Sequence, residues 1–211
     1  MSAALAAARP LLVRRGLRLN YLTLAYNTVE AIVSIAAGVV AGSVALVGFG
    51  VDSGIEVTAS VAAQWRLRAD IDPVRRERVE RVTHRIIGVS FLVLAAYVAL
   101  DSVTTLWAHE APEPSTVGLV VLALSVVVMP VLAHAKRRVA RALQSRALEA
   151  DAAQTSLCAY LSVIALAGVG LNATFGWWWA DPAAALAMVP IIGKEGMEGL
   201  RGEAECECRA P

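Results

Sequence analysis

Long apolar stretches alternate with short charged ones along this chain, and the Lys and Arg residues mark each change. None occurs between Leu19 and Trp65, between Ile86 and Ala135, or between Ala147 and Gly193. Each gap exceeds the roughly 20 apolar residues that one helix needs to cross a hydrocarbon core, so each predicts two helices. The small-residue turn Ala41, Gly42, Ser43 splits the first gap into helix 1 at 19–40 and helix 2 at 43–65. The polar turn His109, Glu110, Ala111, Pro112, Glu113, Pro114 splits the second into helices at 86–107 and 117–135, with Pro130 expected to kink the latter. The third holds a helix at 147–174 and a shorter one at 180–193 that extends toward Met197. Trp177, Trp178 and Trp179 lie between these two, as amphipathic aromatics do at a membrane interface. The predicted fold is all-α, a polytopic membrane protein of six transmembrane helices. Residues 1–18 form a basic arm, 19–197 the six-helix domain and 198–211 a short tail.

Composition and charge add a sidedness. Hydrophobic residues make up 57% of the chain, above a soluble domain, and the net charge of +1 conceals a strong segregation. All 19 Lys and Arg fall in the arm, in the charged segment Arg66 to Arg85, in the basic linker Lys136 to Arg146, and after Gly193. By the positive-inside rule both termini are cytosolic, in the inner or plasma membrane if the source is bacterial. Met1 to Ala8 followed by Arg9, Arg14, Arg15 and Arg18 does not resemble a cleavable signal. The lipid bilayer is the expected surrounding and nucleic acid is not an expected partner. The three cysteines, one in an apolar run and two in an acidic tail, make no disulfide framework.

Chemistry concentrates in SVALVGFGVDSGIEVTAS, residues 43–60. Asp52 and Glu56, spaced i,i+4, share one face of a helix. A carboxylate at bilayer depth costs about 2.5 to 3.5 kcal/mol on insertion scales, so two on one face point to an inward site for a cation or protons. On helix 5, Asp151, Gln154 and Cys158 line one stripe at depths that match. Asp52, Glu56, Gln154 and Cys158 form a candidate metal site whose oxygen and sulfur donors suit a zinc-like ion better than magnesium or calcium. A lone Cys in an apolar helix also serves as a small buried residue, and a Gln there also bonds a neighbouring helix.

Other polar residues carry two readings each. Asn27 and Glu30 either line the pathway or hydrogen-bond to helix 2, and Asp151 is a candidate proton relay. Asp101 and His109 either mark the outer mouth or are simply wet. Gly38 and Gly42 have the spacing of a close helix contact. Asp181 before Pro182 reads as the N-cap of helix 6. In the tail, Cys206 and Cys208 with interleaved acids either capture a soft cation or belong to a solvated end.

The run GSVALVGFGVDSGIE resembles the second helix of the cation diffusion facilitators, with Asp52 and Glu56 on the two metal-binding acids. ADAAQTSLCAYLS, residues 150–162, is similar to that family's fifth helix, and GWWWADPA, residues 176–183, to its approach to the sixth. The family usually has His and then Asp four residues later in helix 5, where this chain has Gln154 and Cys158. It usually also has a cytosolic metal-binding domain, so the expectation is a short, divergent member without it. The resemblance implies export of a divalent cation, commonly in exchange for protons, by a homodimer using alternating access.

The function read from these residues is a secondary transporter of a divalent cation, zinc or cadmium, with metal ion and proton as partners and no prosthetic group. Neutral Gln154 with a thiolate Cys158 carries the same charge as His with Asp, and the sulfur shifts preference toward softer ions. The alternative is a membrane metal sensor or accessory subunit that binds without transporting. An intramembrane enzyme using Cys158 as nucleophile lacks an activating base, since His84, His109 and His134 all sit at span ends.

Overall fold

In a computed structural model, residues 3–68, 73–109, 111–143 and 146–201 are described. They form six helices: α1 (Ala3–Ala41), α2 (Val44–Arg68), α3 (Pro73–Ala108), α4 (Thr116–Leu143), α5 (Arg146–Phe175) and α6 (Ala180–Arg201). No strand occurs among the described residues. The helices begin and end beyond the apolar runs. Residues 3–18 of the arm continue into α1, residues 73–85 open α3, and Lys136 and Arg137 belong to α4 rather than to a linker. Arg and Lys are good helix formers, and residues 74–85 and 131–143 contain neither Gly nor Pro to stop them. Pro73 begins α3 at the first helical position, where its missing N–H costs nothing. Pro130 lies inside α4 without ending it.

Large apolar side chains line the outside of the bundle, and helix α1 turns its polar side chains inward. Leu22, Val29, Ile32 and Val40 of α1 are exposed, while Asn20, Thr23, Asn27, Glu30 and Ser34 of the same helix are buried. Those five recur every three or four residues and form one polar stripe turned inward. An apolar outside around a polar inside is the arrangement for a lipid surrounding, where no water meets buried polar groups. Among the described residues, Leu11–Ala41, Arg85–Ala108, Thr116–Leu143 and Asp151–Phe175 are long and apolar enough to cross a membrane. The protein is an integral membrane protein. Asp52 and Glu56 lie in the middle of α2, and Asp181, Lys194 and Glu195 lie in α6.

Helix α2 is the hub, packing against α1, α3, α5 and α6, while α3 pairs with α6 and α4 with α5. The α3–α6 pair comes into backbone contact: a Cβ on Gly88 would stand 2.8 Å from the carbonyl oxygen of Gly196. Gly38 of α1 gives Val47 similar room. Gly42, four residues on, has a different task, since its φ of 65° makes the turn into α2.

The three connections without Lys or Arg meet at one end of the bundle. The backbone N–H of Glu113 donates to the carbonyl of Ala41 at 2.8 Å, Asn172 Nδ2 to the carbonyl of Pro112 at 2.8 Å, and the rings of His109 and Trp178 lie 5.1 Å apart. Asp181 joins them. Instead of capping its own helix, its Oδ1 accepts the backbone N–H of Ala45 at 3.3 Å and its Oδ2 accepts the hydroxyl of Ser43, so it caps α2. The reason is register: α6 already starts at Ala180, which puts Asp181 inside the first turn, beside the N-terminus of α2, where the Ser43 hydroxyl also accepts the N–H of Leu46 at 3.2 Å.

Candidate functional site

Three helices bring carboxyl groups into the polar interior. Asp52 and Glu56 lie about 12 and 18 Å along α2 from Val44, at 1.5 Å per residue, and both are buried. Glu30 of α1 faces them, and its Oε2 accepts the hydroxyl of Ser53 at 2.8 Å. Cys158 of α5 completes the centre, with its Sγ 3.9 Å from both Glu30 Oε2 and Ser53 Oγ and with Asp52 beside it. Asn27 of α1 lies next to Glu56.

What distinguishes this cluster is how little of it is satisfied. Glu30 Oε1, Asp52 Oδ2, Glu56 Oε2, Ser34 Oγ and both side-chain polar atoms of Asn27 are buried without a hydrogen-bond partner. A buried polar atom left unpaired costs about 1 to 3 kcal/mol, and more if charged, so a run of them on three acids is an arrangement that a cation would relieve. The donors fit a cation of borderline softness: carboxylate oxygens, an amide oxygen and one sulfur. As they are placed, no three of His, Cys, Asp and Glu among the described residues stand close enough together to hold a metal ion.

Toward the basic end the interior changes character. Lys136 of α4 is buried, and its Nζ lies 2.8 Å from Asp151 Oδ2 and 3.0 Å from Thr155 Oγ1. The Thr155 hydroxyl in turn donates to Glu56 Oε1 at 2.6 Å, and Ser60 Oγ donates to Asp151 Oδ1 at 3.1 Å. Lys136 supplies the cation in the described interior, and it answers Asp151 directly.

The residues singled out by sequence fall into distinct places. Asp52, Glu56, Glu30, Asn27 and Cys158 come together. Asp151 lies nearer the basic end, in its ion pair. Gln154 is half-buried at the flank of the α5 stripe, while its neighbour Thr155 is the residue that bonds Glu56. Cys206 and Cys208 lie outside the described residues. Lys136, Thr155 and Ser53 are additions that sequence reading missed. Lys136 ends an apolar run, which made it look like a boundary, and the Thr and Ser hydroxyls look like local helix bonds until the partner helix is in place.

Comparisons with known proteins identify the family. The cation efflux transmembrane domain matches residues 21–202, which take in all of α2 to α6 and most of α1. The magnetosome protein MamB of Paramagnetospirillum magneticum is 26% identical over 167 residues, 76% of this chain and 56% of that protein. MamB of Magnetospirillum gryphiswaldense matches with the same identity and coverage. The chain thus spans about half the length of these curated relatives. Matched over most of its length by the efflux domain, this helical bundle with unsatisfied acids at its centre belongs to the cation efflux family.

Proposed function

We propose that this protein moves a divalent metal cation across the membrane through the interior between α1, α2 and α5. The observation that carries the reading is the set of unpartnered oxygens on Glu30, Asp52 and Glu56, three acids buried among apolar helices. In this reading Asp52 and Glu56 are the principal ligands, with Cys158 and Gln154 contributed by α5. Zinc or cadmium is the cargo favoured by the sulfur.

Transport needs no covalent step. Ligand carboxyls release protons when they take up metal and regain them when the metal leaves, which gives proton antiport its chemistry. Alternating access would expose the cluster first at the basic end and then at the end where the three uncharged connections meet. All six helices cross the bilayer, and the basic ends of the helices and both termini face the cytosol, in line with the Lys and Arg distribution. The working unit is a homodimer.

The test is uptake into sealed proteoliposomes across zinc, cadmium, cobalt, nickel, iron and manganese with an imposed proton gradient. Metal-dependent flux that collapses with the gradient supports antiport. Metal binding without flux would instead identify a sensor or accessory subunit.

A further inference from the structure

The buried lysine falls outside the ligand set. A primary ammonium in a lipid-embedded bundle is costly, and this one is buried on an apolar helix whose neighbouring residues Arg137 and Arg138 are exposed. Its stem is drawn inward to the oxygens of Asp151 and Thr155.

The connections made there cross the bundle. Asn20 Nδ2 of α1 donates to the backbone carbonyl of Ser60 on α2 at 3.1 Å, and Ser60 Oγ donates to Asp151 on α5. Asp151 pairs with Lys136 on α4, and Lys136 returns through Thr155 to Glu56 on α2. Four helices are tied in one layer, on the basic side of the acid cluster. An ion travelling between that end and Asp52 meets an ammonium already seated on the oxygens it would use.

We propose that Lys136 is a tethered counter-cation that closes the basic end of the pathway, and that passage of cargo requires its contacts with Asp151 and Thr155 to part. This rests on the pathway reading above and adds the residue that guards it. The occupied layer holds a cation on oxygen donors, whereas the layer beyond it has carboxylate oxygens with no partner. The protein as described is therefore closed on the basic side. Opening means moving α4 against α5, the helices that carry the two charges.

Cys158 provides the reporter, since it is buried just beyond this layer. In a protein with Cys206 and Cys208 replaced by Ser, its reaction with a membrane-impermeant maleimide is timed from each side of sealed vesicles. An added Ala142→Cys in a separate preparation marks the basic side. The double variant Lys136→Gln with Asp151→Asn removes both charges and keeps hydrogen-bonding groups, so no uncompensated charge is left buried. The expected result is labelling about tenfold faster from the basic side alone, with an unchanged thermal midpoint in detergent. An unchanged rate overturns the proposal. So does an equal rise from both sides or a rise accompanied by a lower midpoint, each of which makes the pair a structural bond. If the double variant does not fold, Ser60→Ala decides, with a smaller rise from the same side in favour and no rise against. Absence of metal flux in the parent protein would remove the transport reading while leaving the labelling result intact.

Discussion

Ser43, just before α2, and Asp181, in the first turn of α6, share a hydrogen bond in which the serine hydroxyl donates to the carboxyl group, and Ala45 N–H fills the other oxygen. Asp181 thereby fastens the last helix to the start of the helix bearing the central acids. Replacing it by Ala should cost about 1 to 2 kcal/mol, the loss of a helix cap, and lower the thermal midpoint in detergent. Asp181→Asn, which keeps an acceptor, should cost less. Equal midpoints for parent and Asp181→Ala would show that the contact carries no stability.

Removing either α2 acid should end transport while the protein still inserts. Asp52→Ala and Glu56→Ala each delete an oxygen donor and break no helix, since Ala is the best helix former. Flux in proteoliposomes should fall to background in both, and normal flux in either would displace the site. Thr155→Val keeps the shape but loses the bond to Glu56, so a severalfold loss of flux is expected, in keeping with about 1 kcal/mol for one hydrogen bond.

Cys158 should set ion preference. Cys158→Asp replaces sulfur by oxygen and should raise manganese flux relative to cadmium, whereas Cys158→Ser should weaken every divalent ion. If the cadmium-to-manganese ratio stays fixed in Cys158→Asp and flux survives in Cys158→Ser, the thiol merely fills space.

Sidedness can be read from two exposed alanines, Ala111 between α3 and α4 and Ala142 near the end of α4. Cysteines placed there, in a background without the native ones, should label from opposite faces of the membrane. Labelling from the same face would contradict the six-crossing arrangement.

Helices α3 and α6 depend on the absence of a side chain at Gly88. A methyl group there would meet backbone atoms of Gly196 and Leu200, which cannot swing aside as a side-chain tip does. Gly88→Ala should therefore destabilise by about 1 to 3 kcal/mol in spite of its better helix propensity, measurable as a lower midpoint. A higher midpoint would mean that the pair can part without loss.

How legible was this from residues alone? The acids of α2 were, because a carboxylate in an apolar run has few reasons to be there, and the spacing of Asp52 and Glu56 fixes their shared face. The six helices were legible from three gaps in basic charge. Helix ends were not, since basic residues extend a helix as readily as they leave the membrane. Lys136 reads as a linker residue for that reason, while its burial depends on α4 running on past the apolar stretch and on Asp151 arriving from another helix. Asp181 reads as the cap of its own helix because its bond to Ser43 joins distant parts of the chain. Such contacts are made by packing, and no periodicity announces them.

The inward stripe on α1, Asn20 to Ser34, makes that helix a phased object. A single inserted residue would turn everything on one side of it by about 100° and swing Glu30 or Asn20 toward the acyl chains. Seven residues would turn it by only about 20°. Length changes in this segment are therefore tolerable only where they restore that phase, as about 7 or about 11 residues nearly do, which makes α1 a ruler read in whole turns.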